Sequence, residues 1–513
     1  MLEALLSKGY LPRELPPLFS SSSFATLTEH LDAAPERLKS AKATWSAQAT
    51  HNLARVGGLR RRLAIPNPCN FFRLAKVFST NEAQLRAIWQ KSPYSRTSPI
   101  SSTSGFRAIA PTGSDRATPR AMARIGARYL LRADISQFYP SIYTHTIPWA
   151  VHTKLVAKSA TKDATLLGNV IDKEIQACQL GQTAGVAIGP DTSLGVAELL
   201  LSPIDEQLYA NSNCKGAVRF IDDMEFSFAK LSEAESALSR LEALLYEFEL
   251  QLNGNKTRIL NLPHEVESGY VTKLRSFLPA SGSAPPSKWI DFFNVAFDEA
   301  RKFPNEGVLR YAVASLQGIF VSKKAWVVVQ HLLWQCIALD SGCLRFVVDA
   351  LLANHYVAKH IIDTDLVIQA LDSLIEISAP VEHGSEVLWS IWAASVLEVG
   401  FSAKSQALIA QMDDACVASA SMLGIGKAFD EDFQSPLWES WLVEECFLQE
   451  HWIFAYEALH RNWCGAKVKA SKIDKDSVAA FLNAQGISFL NPDSVAAYKP
   501  SKIMIPVWGG GGY

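Results

Sequence analysis

Apolar positions follow two different periods along this chain, and the change of period divides it. Up to about Leu278, short strand-like runs alternate with helical spacing. An apolar run from Leu130 leads into Asp134, with Phe138 and Tyr139 just beyond. Further on, Val218, Phe220, Phe226 and Phe228 keep a period of two on either side of Asp222-Asp223, which predicts a hairpin with two acids at its turn. Residues 279–286 read Pro-Ala-Ser-Gly-Ser-Ala-Pro-Pro, have no apolar period and mark a boundary. Past it, apolar residues recur at three- and four-residue steps and predict helices over 307–321, 325–339, 365–377, 386–399 and 404–412. The expected organisation is an N-terminal extension (1–40), an α+β module (41–278), a linker (279–288), an all-α domain (289–500) and a tail (501–513). The tandem helices suit either a repeat-like stack or a non-repetitive bundle, since no strict period is present. The tail carries a short apolar run, Lys502-Ile-Met-Ile-Pro-Val-Trp508, then four glycines and Tyr513. Glycines hold no conformation cheaply, so Tyr513 is either mobile or inserted elsewhere.

Composition changes this picture in one place. At 513 residues, 48% hydrophobic and 19% charged, the chain is long enough for two or three cores and ordinary for a globular protein. The net charge of -2 gives no sign of a nucleic-acid partner, but its distribution does: residues 41–130 hold 15 Lys/Arg against two acids, Glu82 and Asp115. Such a block in a near-neutral chain predicts a phosphate-facing surface. The eight cysteines are scattered without zinc spacing, which predicts buried thiols in a reducing compartment. The apolar stretch 325–339 includes Gln330, His331 and Gln335 and is too short to span a bilayer. No basic segment precedes an apolar core at the N-terminus, so the expectation is a cytoplasmic protein without membrane contact.

The acids carry the candidate chemistry. Adjacent carboxylates repel one another and are costly together unless a cation neutralises them. Polymerases answer this with two Mg²⁺ ions about 4 Å apart, one activating the attacking 3′ oxygen and one holding the triphosphate. A third carboxylate from a neighbouring strand completes such a cage, and Asp134 is the candidate. An Asp-Asp pair alone is ordinarily a solvated turn; the combination along the chain is what singles this one out.

That combination resembles reverse transcriptases, in the version found in bacterial abortive-infection and defence-associated (DRT) proteins. Asp134-Ile-Ser-Gln-Phe-Tyr-Pro-Ser-Ile-Tyr-Thr-His-Thr-Ile-Pro-Trp149 is similar to their motif A. Phe220-Ile-Asp222-Asp223 is similar to motif C, with Phe in place of the usual Tyr. Gly185-Val-Ala-Ile-Gly-Pro-Asp-Thr-Ser193, followed by Ala197-Glu198, looks like motif B, with Gly189 and Pro190 shaping a turn and Thr192 or Ser193 capping the helix. Ile188 stands where many reverse transcriptases have Gln. Leu252-Asn-Gly-Asn-Lys256-Thr-Arg258 suggests motif D. Arg61-Arg-Leu-Ala-Ile-Pro-Asn-Pro68 is similar to the fingers motif, and Tyr94-Ser-Arg-Thr-Ser-Pro99 again resembles the abortive-infection subset.

The resemblance implies a right-hand fingers–palm module followed by a HEAT-like helical domain. It implies metal ligands at Asp134, Asp222 and Asp223 with Ile135 beside them, and two Mg²⁺ ions, with Mn²⁺ as a substitute. Lys256 would protonate the departing pyrophosphate. Arg61 and Arg62 would grip the incoming triphosphate, since a guanidinium fork matches phosphate oxygens. Ser136, Gln137, Phe138, Tyr139 and Gly189 would line the nucleotide site, with Tyr139 beneath the sugar excluding a 2′-hydroxyl. Arg73, Lys76, Arg96 and Arg107 would face nucleic acid. The implied activity is deoxynucleotide polymerisation in bacterial phage defence, using dNTPs, an RNA template or noncoding RNA and a DNA product, with a homo-oligomer left open. Two alternatives stay open: untemplated synthesis, with Tyr513 as a candidate protein primer, and a silent palm serving as an RNA-binding scaffold. No RNase H, integrase or maturase-like segment accompanies the motifs.

Overall fold

The hairpin expected around Asp222-Asp223 is present, at one edge of a four-stranded antiparallel sheet. We describe it from a computed structural model, which covers residues 1–40, 44–101, 107–111 and 115–501. The sheet order is β6-β7-β5-β8, with β5 (Tyr129–Ala133), β6 (Gly216–Phe220), β7 (Asp223–Phe228) and β8 (Arg258–Asn261). Ala133 pairs with Met224 and Phe220 with Asp223, so the end of β5 and the hairpin turn lie at the same end of the sheet. Phe226, Phe228 and Leu131 are buried on the face covered by the helices Asp191–Ala210 and Leu231–Glu247, whereas Leu130, Val218 and Phe220 are buried on the opposite face, because the two-residue turn reverses the alternation between the hairpin strands. The outer edge of β6 is not bare. The 94–96 segment lies beside it, Arg96 N donating to Arg219 O and Arg219 N to Tyr94 O.

Two smaller sheets flank this one. β1 (Ala49–Ala54) and β2 (Arg60–Ile65) form a hairpin whose tight loop needs the positive φ of Gly57 and Gly58, while β3 (Pro99–Ser101) pairs with β4 (Ile109–Pro111). Ala64 N donates to Ile188 O, joining β2 to the glycine turn that precedes the Asp191–Ala210 helix.

The chain divides less sharply than its sequence suggests. Residues 1–40 pack into the shared core: the Tyr10 ring stacks on Phe71 at 4.4 Å and meets Phe489 edge-on at 5.6 Å, and Phe19 bridges to Leu490. The expected linker is an ordered crossing. The helix Pro286–Lys302 begins before its predicted end, and Ser322 N donates to Gly282 O, at a position where a side chain would overlap Phe320 O. From there the described chain is helical, with Lys323–Leu339, Thr364–Ser378, Gly384–Leu397 and Ala403–Ile409 close to expectation, whereas the helix expected over 307–321 spans only Val308–Ala314 and gives way to a turn through the positive φ of Gly318. The Gly384–Leu397 helix is buried nearly all round and meets β1 as well as Ala415–Leu423 and Leu344–Tyr356, contacts that a strictly one-dimensional stack does not make.

The same helix fixes the β1–β2 hairpin. Arg60 forks onto Glu386 (2.6 and 2.7 Å), Ser385 Oγ accepts from Ala54 N, and His51 Nδ1 meets Asp414 Oδ2 at 2.7 Å. All eight cysteines are free, six of them buried. Among the described residues no helix is long and apolar enough to cross a membrane. The tail from Lys502 to Tyr513, with its candidate priming hydroxyl, lies outside the described residues.

Candidate active site

Asp134 follows the last residue of β5, and Asp222 and Asp223 close the β6–β7 turn. Phe220 and Asp223 are paired, so the turn has two central residues, Ile221 and Asp222. Such turns favour glycine or asparagine where φ is positive. Here a β-branched, buried Ile221 holds φ +55, a conformation that costs about 1–3 kcal/mol and persists only where the surroundings impose it.

What imposes it is a buried ionic network that sequence reasoning missed. Arg219 on β6 is fully buried. Its guanidinium bonds Glu198 at 2.8 and 2.9 Å, Asp205 at 2.7 Å and the Ile221 carbonyl at 3.0 Å. Thr97 Oγ1 donates to Glu198 Oε1 (2.8 Å) and accepts from Ile221 N (3.0 Å); Ser95 donates to Glu198 Oε2 and Ser92 to Asp205 Oδ2, oxygens that Arg219 also holds. Both polar atoms of the strained peptide are therefore held. Burial works against the charge on Glu198, but Arg219 outweighs it and holds that carboxyl below its usual value; at Asp205 burial prevails and the carboxyl sits above its usual value. A signal existed. Glu198 and Asp205 stand seven apart on one face of a helix, flanking the apolar run Leu199-Leu-Leu201, and buried acids need a cation.

The three aspartates each meet a different neighbour. Asp134 Oδ2 pairs with Lys256 Nζ at 2.9 Å, and its Oδ1 accepts from Asn253 Nδ2 at 3.2 Å. The Asn253 backbone also donates to the Asp134 carbonyl, so the turn bearing Lys256 is tied to the acid it faces. Asp223 Oδ2 pairs with Arg120 and lies 3.6 Å from Arg116 Nη1. Asp222 is half-buried, and among the described residues no cation pairs with its carboxylate; burial first, and then the charge of Asp134, pushes it up to about 6. Negative charge is thus concentrated at one point and only partly neutralised, which suits divalent-cation ligands. Ile135, buried next to Asp134, bridges to Leu252 and brings that turn alongside.

The three carboxylates do not close to the spacing of a loaded cage. Among the described residues, the one trio of donors within 4.8 Å of one another is His51, Asp414 and Cys416. Asp414 is already engaged there: Oδ2 takes His51 and Oδ1 accepts from Cys416 N and Val417 N as the cap of the Ala415–Leu423 helix. That trio reads as a tie between β1 and the helical half.

The other predicted residues fall around this centre unevenly. Gln137 takes positive φ at the start of a short helix, Phe138–Ser141; Phe138 is buried, and the Tyr139 ring lies 5.3 Å from it. Tyr139 O accepts from Val186 N and Ser136 N donates to Gln251 O, so this segment is knitted to both the glycine turn and the Lys256 turn. Gly189 is needed for close approach, because a side chain there would strike Pro12. The predicted caps are corrected. Pro190 precedes the helix, Ser193 Oγ turns back to Ala187 O, and Asp191 in the first turn accepts from Ala108 N and Ile109 N.

The basic block is corrected more deeply. Arg73 is not a nucleic-acid contact: it is buried and forks onto Glu174 at 2.9 and 2.6 Å. Arg107 likewise is spent on Asp191 and the carbonyls of Leu11 and Gly189. Arg60, Arg120 and Arg124 pair with Glu386, Asp223 and Glu225. Many of these cations serve acids placed later in the chain, which is why the total charge is near zero. Arg62, Lys76 and Arg96 remain exposed, and Arg61 lies half-buried on β2. No protein-family model matches this chain, and no curated protein sequence is significantly similar to it.

Proposed function

We propose that the chain is a metal-dependent nucleotidyltransferase that polymerises deoxynucleotides in the manner of reverse transcriptases, acting in phage defence. The observation that carries this reading is the aspartate cluster: Asp222, pushed up by burial and by Asp134, at a hairpin turn held in a strained conformation by a satisfied buried network. Strain concentrated around convergent acids is the mark of a working site rather than a solvated turn. Bound at Asp134, Asp222 and Asp223, divalent cations would supply Lewis-acid activation of the attacking oxygen and neutralise triphosphate charge. Lys256, more than half exposed on its turn and 2.9 Å from Asp134, has the reach to move a proton onto a departing phosphate. Arg61 and Arg62 lie on β2, which Ala64 ties to the glycine turn, and would hold phosphate oxygens.

The test is incorporation of labelled dNTPs by the purified full chain with Mg²⁺, followed by sequencing of the product and of any RNA that purifies with it. Incorporation that survives Asp223→Asn would remove the reading. A plaque assay with the same variant extends the test to defence; retained protection without synthesis would favour an RNA-binding scaffold.

Tyr139 supplies a second, narrower prediction. Its ring is packed against Phe138 and its backbone against the glycine turn, a rigid placement suited to excluding a 2′-hydroxyl. Tyr139→Ala should lower discrimination against ribonucleotides about ten- to a hundredfold, measured as the ratio of kcat/KM for dNTP and rNTP. Equal selectivity in the variant would place the gate elsewhere, with Phe138 next.

A further inference from the structure

The helix Ala117–Ala123, with Arg116 at its N-cap and Arg124 at its C-cap, lays three arginines at four-residue steps along one face, over the end of β6 and β7. It can lie that close because Gly216 has no side chain to strike the Ala123 carbonyl. The three arginines are held to different degrees. Arg124 is committed, bonding Glu225 Oε2 at 2.8 Å and the carbonyls of His264 and Glu265 at 2.9 and 3.0 Å. Arg120 is shared between Asp223 Oδ2 and Glu225 Oε1 (3.4 Å), with its guanidinium 5.7 Å from the Phe220 ring centroid. Arg116 is held least, 3.6 Å from Asp223 and 5.1 Å above the same ring.

Removing Arg120 from these acids strands neither of them. Glu225 is buried, but it keeps Arg124 and also Arg132, which bonds it at 3.0 and 3.1 Å. Asp223 is about 30% exposed and open to water or another cation. The arrangement therefore differs from the Arg219 network, where a departing cation leaves two buried acids unpaired. Arg120 is a counter-ion that can be exchanged, on the acid expected to hold metal.

We propose that Arg120, with Arg116, is a phosphate-positioning pair held in reserve: it neutralises Asp223 in the metal-free protein and turns to the triphosphate of the incoming nucleotide once Asp223 is engaged by a divalent cation. The inference rests on the nucleotidyltransferase reading of the three aspartates. The Phe220 face keeps both guanidinium groups beside the site after they leave the carboxylate, because a cation over a ring is attracted without a fixed direction. A guanidinium fork then meets phosphate oxygens in its preferred geometry.

The experiment compares the full-length wild type, Arg120→Gln, Arg120→Lys, Arg116→Gln and Asp222→Asn. Mn²⁺ binding without nucleotide is followed by electron paramagnetic resonance, and KM for a dNTP is measured with Mg²⁺. Arg120→Gln removes a competitor of the metal and should bind Mn²⁺ about two- to fivefold more tightly, the worth of a partly exposed ion pair. Its KM should rise about ten- to a hundredfold, the worth of a charge-assisted hydrogen bond to phosphate. Arg120→Lys keeps the competing charge and should bind Mn²⁺ as the wild type does. Arg116→Gln, which disturbs the fold least, should raise KM with little change in Mn²⁺ affinity. If Mn²⁺ binding is lost in Asp222→Asn but neither Mn²⁺ affinity nor KM moves in Arg120→Gln, the reserve role is overturned and the nucleotidyltransferase reading stands. Mn²⁺ binding that is unaltered in Asp222→Asn overturns that reading and the inference with it. Weaker Mn²⁺ binding together with a lowered melting temperature in Arg120→Gln marks a purely structural arginine and also overturns the proposal.

Discussion

Asp222→Asn will abolish nucleotide incorporation and, in the same protein, raise the melting temperature of the metal-free form at neutral pH. The two effects share one cause. Burial and the Asp134 charge lift the Asp222 carboxyl from its ordinary value to about 6 in the folded chain. The folded state therefore holds that proton more tightly than the unfolded state does. The stability it contributes is full below about pH 4 and is lost as pH rises through about 6. Above that pH the wild type carries an unfavourable charge that an amide lacks. A shift of this size is worth at most about 3 kcal/mol, and solvent at the half-buried site reduces it, so a gain of about 1–3 kcal/mol is expected at pH 7.5 and none near pH 4. Thermal melts across that range in EDTA measure it. Mg²⁺ should stabilise the wild type and leave Asp222→Asn unmoved, since a ligand stabilises only the state that binds it. Incorporation should fall at least about a thousandfold, the scale expected when an electrostatic group acting on the transition state is removed. A variant that is less stable than wild type at pH 7.5 would show that Asp222 has a stabilising partner.

The contrast between Asp222 and its surroundings shows what the sequence made legible. The hairpin was readable from the period of two on either side of the acids, although the two-residue turn puts Val218 and Phe220, across from Glu225 and Asp223, on the opposite face of the sheet from Phe226 and Phe228. Helix positions in the second half were readable for the same reason, at a different period. The acids at the turn and the end of β5 were readable by their order along the chain, and Lys256 does meet Asp134. What stayed hidden were pairings across long separations. A run of arginines between residues 41 and 130 looks like a charged surface until the acids that fold onto it are known. Glu174 claims Arg73, Asp191 claims Arg107, and Glu386 claims Arg60. Local pattern carries no information about a partner a hundred or three hundred residues away, whereas the low net charge of the whole chain was a hint that such partners exist. The Tyr94–Pro99 segment gives a further instance: Ser95 and Thr97 act beneath the hairpin, joining Glu198 and the Ile221 backbone.

That buried network leads to the second large effect. Arg219→Met should destabilise the protein by about 3–5 kcal/mol, because Glu198 and Asp205 lose their cation while remaining out of water. Arg219→Lys keeps the charge but not the fork that serves two acids and a carbonyl together, so it should fall between. Replacing all three charged residues by apolar ones of similar volume should recover most of the lost stability, since a buried ionic network is often no more stable than packed hydrocarbon. Activity should not return with it. The Ile221 carbonyl would still lack its donor and Thr97 would lose the acid that orients it, so the turn would relax from φ +55 and carry Asp222 and Asp223 out of place. Denaturant melts and dNTP incorporation, measured on the same preparations, separate the two. A triple variant that is both stable and fully active would show that the network serves the core alone, whereas a stable and inactive one assigns it the positioning of the carboxylates.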